Sequence, residues 1–135
     1  MAELEIFPKS MLVNNDITLE NVVSKLTYFQ EQIHLLHWQT KSYAEHNALG
    51  SLYEYIQTFK DDVVEKLMGY MNKRVGSYKI DPIGNGTADS IISDLQTWSY
   101  KLYEWAGKNH YCDVENMAQE LSGQTAKTKY LLTLT

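Results

Sequence analysis

The sequence predicts an all-α protein, a single four-helix bundle with one long central connection. Three observations carry that expectation. Apolar residues recur at alternating spacings of three and four along most of the chain, and no segment has a convincing period of two. Turn chemistry is concentrated at two short points and one long one, which leaves helices of about 20 to 30 residues, the proportions of a bundle. A length of 135 residues with 44% hydrophobic and 21% charged side chains supports one core and one domain.

Residues 1–16 contain Pro8 and the polar run Asn14-Asn15-Asp16 and hold no sustained period, so they read as an arm lying on the body. The bundle then occupies 17–135. Thr18 is an N-cap candidate, and Leu19, Val22, Leu26, Phe29, Ile33 and Leu36 build one apolar face of the first helix. Thr40-Lys41-Ser42 is a short turn. Leu49, Leu52, Tyr53, Ile56, Phe59, Val63, Leu67 and Tyr70 form the second stripe, which predicts a helix to about Val75. Gly76, Pro82, Gly84, Asn85 and Gly86 make the long connection. Thr87 or Asp89 caps a third helix carrying Ile91, Ile92, Leu95, Trp98, Leu102 and Trp105, and Gly107 to Cys112 stops it. Asp113 is the expected cap of a fourth, with Val114, Met117, Leu121, Tyr130 and Leu131, interrupted at Ser122-Gly123-Gln124.

Charge and composition narrow the function classes. Twelve basic against 17 acidic side chains give a net charge of −5, and Arg74 is the only arginine, so DNA binding is not expected. Apolar runs fall far short of the roughly 20 residues that cross a bilayer, and the first residues lack a basic stretch followed by an apolar one. A soluble, cytoplasmic protein without a membrane partner is the expectation. The single Cys112 fits a reducing compartment and reads, like His110, as a turn residue. Ten tyrosines suggest amphipathic aromatic surfaces where subunits meet, hence a homo-oligomer. Asn85-Gly86-Thr87 matches a glycosylation acceptor, but reads as a turn and a helix cap.

Candidate chemistry gathers around the first turn. His34 and His37 stand three apart on one helix, and His46 lies just across the turn. Glu31 precedes His34 by three, the step by which di-iron bundles aim a carboxylate and an imidazole at one metal. Asp61 and Glu65 share a helix face four apart as hard oxygen donors. At about 100° per residue they lie roughly 120° to 160° from the apolar direction of their helix, whereas His37 is about 40° from its own. The carboxylates therefore face water or another subunit, and a site within one subunit is awkward. The plainer alternatives are a histidine bonded to a carbonyl for His37 and a solvated face for the acidic pair.

His37-Trp38-Gln39-Thr40-Lys41, then His46, then Asp61-x-x-x-Glu65-Lys66 resembles the ferroxidase signature of the Dps family, small ferritin-like proteins named for binding DNA in starved cells. The resemblance covers about residues 19–75 and implies a ferritin-like bundle. It implies that His37 and His46 of one chain, with Asp61 and Glu65 of a two-fold mate, hold iron. Fe(II) would be oxidised to Fe(III) by peroxide or dioxygen, and a closed dodecameric shell would add storage. The mixed nitrogen and oxygen donors also suit zinc or manganese. The chain departs from the family in a shorter turn between His37 and His46 and in Gly50, where the family has an acidic residue. It departs again in having Lys9 as the one positive side chain before Lys25, without the basic tail that holds DNA. His34 is the candidate to fill the place of the carboxylate missing at Gly50. Trp38 reads as a packing or interface aromatic more than a redox participant. The chain is also similar to small ferritin-like proteins of unassigned function from tailed phages and marine metagenomes. Against a ferroxidase stands a metal-free, degenerate bundle serving as a structural or interaction protein, with Gly50 marking a lost site.

Overall fold

The computed structural model describes residues 16–84 and 86–135. Four helices form: α1 Leu19–Gln39, α2 Tyr43–Met71, α3 Ala88–Lys108 and α4 Cys112–Leu132. Of the expected N-terminal arm, residues 1–15 lie outside the described residues. The carbonyl of Asp16 accepts from Asn21 Nδ2 at 2.8 Å.

Local chemistry sets three of the four helix starts. The hydroxyls of Thr18 and Ser42 accept from the backbone N–H groups of Asn21 and Glu45, each at 3.1 Å, satisfying donors with no partner inside the helix. Thr87 and Ser90 bond each other's backbone N–H in a capping box, so Thr87 serves as the expected cap, while Asn85 of the expected turn lies outside the described residues. The fourth start differs from the expectation that Asp113 is its cap. Tyr111 occupies the cap position without a side-chain bond, and Asp113 lies inside the first turn of α4. There its N–H donates to the Tyr70 hydroxyl at 3.1 Å, and its carboxylate lies 2.5 Å from Lys66 Nζ, so contacts from α2 claim it.

One other expectation, the end of α2, is corrected, and the single fourth helix is found as expected. Helix α2 stops at Met71 and not near Val75, because Asn72 turns left-handed, with φ of 53°, and closes the end with its N–H on the Met68 carbonyl. Helix α4 runs unbroken through Ser122-Gly123-Gln124. Thr125 and Thr128 continue its buried face, and their hydroxyls donate to the carbonyls of Ser122 and Gln124 at 2.7 and 2.9 Å. Tyr70 and Tyr130, which the spacing puts on apolar stripes, are 43% and 62% exposed.

The connection between α2 and α3 fixes the topology. Gly76 N–H donates to the Glu20 carboxylate at 2.8 Å, Ser24 Oγ donates to the Lys79 carbonyl, Lys25 pairs with Asp81 at 3.5 Å, and Gly84 N–H donates to Gln32 Oε1 at 2.9 Å. These partners climb α1 in step with the loop. From Glu20 to Gln32 is a rise of about 18 Å, at 1.5 Å per residue, so the segment returns the chain to the end from which α2 set out. Helices α1 and α4 therefore run one way, and α2 and α3 the other. Packed pairs are α1 with α2, α2 with α4, α4 with α3 and α3 with α1, all antiparallel. A single long crossover of this kind is the connectivity of ferritin-like folds.

The core is predominantly apolar. Leu26, Ile33, Leu49, Ile56, Leu67, Ile92, Leu95, Leu102 and Leu121 are fully enclosed, each contributing about 1.5–3 kcal/mol relative to exposure. The buried polar residues among those described are Ser24, Gln30, Gln32, Ser99, Thr125 and Thr128, none of them ionisable. No helix among the described residues is long and apolar enough to cross a membrane.

Candidate metal centre

The end of the bundle where α1 turns into α2 holds a histidine pair. His37 sits in the last turn of α1, where carbonyls have no partner within the helix. One of them, its own, accepts from His46 Nδ1 at 2.8 Å. In return His37 Nδ1 donates to the His46 carbonyl at 2.6 Å, and the two rings stack with centroids 3.7 Å apart and planes 18° apart. A carbonyl oxygen only accepts, so each Nδ1 carries the proton. In the neutral rings each Nε2 is then left with a lone pair. A backbone carbonyl fixing one nitrogen of a histidine while the other stays open is the usual support of a metal-ligating imidazole.

Gly50, one turn beyond His46, lies under this pair. A β-carbon there would stand 2.8 Å from His37 Cε1 and 3.1 Å from Nδ1, closer than side chains pack. The other glycine of α2, Gly69, has open space around it.

His34 does not join the pair. Its ring lies between Tyr53 and Trp38, with centroid distances of 3.8 Å to each and 5.8 Å to the His37 ring. The column ends on Trp38, which is 64% exposed. Glu31 is exposed, so the Glu31-x-x-His34 step does not aim both side chains into the core.

Asp61 and Glu65 are exposed on α2, as their angle from the apolar stripe predicts. They line a surface hollow with Gln30, Gln57, Thr58, Lys60 and Asp62. Lys60 reaches across to Thr27 Oγ1 at 3.3 Å, and Asp62 pairs with Lys66 at 3.1 Å, leaving the hollow acidic on the Asp61 and Glu65 side. Asp113 and Asp62 beside the Lys66 ammonium hold its proton more tightly than usual. His46 and Asp61 are separated by about 22 Å of helix rise, so the histidines and carboxylates of one chain cannot meet on one ion. No group of three or more His, Cys, Asp or Glu converges within metal-binding reach among the described residues.

A second hollow opens between α1, the crossover and α3, lined by Lys25, Tyr28, Asp81, Asp94, Trp98 and Lys101. Burial, with help from the Asp81 and Asp94 charges, pushes the Tyr28 hydroxyl pKa up and keeps it protonated.

The sequence pointed to the proximity of His37 and His46 but not to their reciprocal bonds or to the role of Gly50. A usable signal is there: a histidine in the last turn of one helix, a second in the first turn of the next, and a glycine four residues on. No curated protein and no solved structure matches the chain. Residues 37–132, most of the bundle and all of the paired histidines and acidic residues, match the Family of unknown function (DUF5856), and the chain belongs to that family.

Proposed function

We propose that the protein takes up iron(II) at a site shared between two copies of the chain and oxidises it there. His37 and His46 of one copy and Asp61 and Glu65 of its two-fold mate are the donors. The observation that carries the reading is the pair of carbonyl-anchored imidazoles, each with its Nε2 lone pair uncommitted. The carboxylates add the second half, exposed away from their own core and too far along α2 to serve their own histidines.

The donor chemistry fits a divalent ion. Imidazole and carboxylate together suit iron, manganese or zinc, and two carboxylates balance one doubly charged ion. Stacked rings place the two lone pairs in nearly parallel planes, whereas a metal–nitrogen bond of about 2.1 Å lies in the plane of its ring. One imidazole would therefore hold an ion directly, and the other would engage it through water. His34 is left out of this set because its ring is held between Tyr53 and Trp38. With peroxide as oxidant, two Fe(II) give one electron each, and the peroxide with two protons becomes two waters. Storage follows only if the copies close into a shell, and the net charge of −5 opposes a DNA-binding role.

A second reading has its own support. Both Nδ1 bonds are complete within one chain, so the same clasp serves a metal-free bundle as a staple between α1 and α2. The two readings separate in one assay, the rate of aerobic and peroxide-driven Fe(II) oxidation by metal-free protein, an Asp61→Ala/Glu65→Ala variant and a protein-free blank. The ferroxidase reading expects fast wild type and a variant at the level of the blank. Wild type indistinguishable from the blank overturns it.

A further inference from the structure

We infer that Gly50 is a positioning residue for His37, the seat of its imidazole and not an emptied ligand position. The functional half of the inference rests on the metal-binding reading above; the structural half does not.

A glycine inside a helix is less stable than alanine, so its presence in the second turn of α2 calls for a reason. The reason is steric. The two His37 atoms that a β-carbon at position 50 would strike, Cε1 at 2.8 Å and Nδ1 at 3.1 Å, include the atom that donates to the His46 carbonyl. The ring cannot give way cheaply. Its Nδ1 is tied to the His46 carbonyl, and the His46 ring stacks on it at 3.7 Å. Any side chain at position 50 therefore displaces the His37 ring and breaks its Nδ1 bond to the His46 carbonyl. Without that bond nothing fixes the proton on Nδ1, and the Nε2 lone pair is no longer presented.

This reverses the consequence drawn from resemblance. Gly50→Asp restores the acidic residue carried at this position by the family that the chain resembles, yet it weakens metal binding here. The expected loss is about 10- to 100-fold in Fe(II) affinity, the usual effect of removing a histidine's outer hydrogen bond, and Gly50→Ala loses as much.

The test titrates wild type, Gly50→Ala and Gly50→Asp with Fe(II) under anaerobic conditions by calorimetry. Alongside it, the His37 tautomer is read from long-range 15N–1H NMR correlations without metal. The expected result is an Nδ1–H tautomer and Fe(II) binding in wild type, with both lost or reduced in the two variants. Gly50→Asp binding Fe(II) as tightly as wild type, or an unchanged His37 tautomer in Gly50→Ala, overturns the inference. If wild type binds no Fe(II), the metal reading fails alone and the tautomer comparison still decides the role of Gly50. Should Gly50→Ala not fold, Gly50→Ala/His37→Ala removes the ring it strikes and recovers helical circular dichroism. A double variant that stays unfolded overturns the seat.

Discussion

A site divided between copies predicts rescue between two inactive variants. One variant, His37→Ala/His46→Ala, keeps the carboxylates; the other, Asp61→Ala/Glu65→Ala, keeps the imidazoles. Each is inactive alone. Because His46 and Asp61 are about 22 Å apart along one helix, no chain supplies both halves of a site to itself. In a two-fold dimer each site takes histidines from one copy and carboxylates from the other. A mixed dimer therefore has one complete site and one that lacks everything. Random pairing of equal amounts makes half the dimers mixed, so the mixture recovers about a quarter of the wild-type sites. The assay is the initial rate of Fe(II) oxidation after the variants are unfolded together and refolded, with native mass spectrometry counting the mixed dimers. Mixed dimers at the statistical level, with a rate no higher than the blank, refute the shared site.

Two further predictions concern the bundle itself. Leu102→Ala removes a fully enclosed side chain of α3 and lowers the unfolding free energy by about 2–5 kcal/mol in urea titrations; a loss under about 1 kcal/mol contradicts the packing. Glu20 carries a pH signature, since the Gly76 N–H bonded to its carboxylate holds its pKa below the ordinary 4.5. A depressed carboxylate stabilises the fold above its unfolded value and loses that contribution as pH falls through the folded one. The melting-temperature advantage of wild type over Glu20→Gln should thus be present at neutral pH and fade below about pH 4.5. An advantage unchanged at pH 3 removes the charge from the explanation.

The parts of the fold legible in the sequence are those set by neighbours in the chain. Thr18 and Thr87 cap where they stand, and the stripes from Leu19 to Ile33 and from Ile91 to Leu102 are buried as their spacing requires. The failures share a cause, which is a partner from elsewhere or a polar residue satisfied within its own helix. Asp113 looks like a cap because nothing local shows Tyr70 and Lys66 waiting for it. The apolar stripe of α4 looks interrupted at Ser122-Gly123-Gln124 because its buried face continues on Thr125 and Thr128, whose hydroxyls bond carbonyls of the preceding turn. The direction of α3 depends on how far the connection climbs α1, which is a matter of Glu20, Ser24, Lys25 and Gln32 and not of the loop's own residues.

The site divides in the same way. The outward direction of Asp61 and Glu65 follows from helix angle alone, but a lone pair on Nε2 follows only from knowing what Nδ1 touches. Gly50 shows the difference most sharply, since by resemblance it is a missing ligand and in three dimensions it is room for His37. The apolar core then limits where metal chemistry can occur at all. Di-iron bundles hold their ions with carboxylates and Glu-x-x-His steps projecting inward. Here the described core contains no carboxylate and no imidazole, and Glu31 of the one such step is exposed. An ion in the centre would face leucines and isoleucines and bear the full cost of an unpaired buried charge. The nitrogen donors His37 and His46 are half-buried at the α1–α2 turn and the carboxylates Asp61 and Glu65 are exposed farther along α2, too far apart for one chain to combine. The proposed shared site therefore stands or falls with contact between two copies, since one chain alone cannot bring these donors onto one ion.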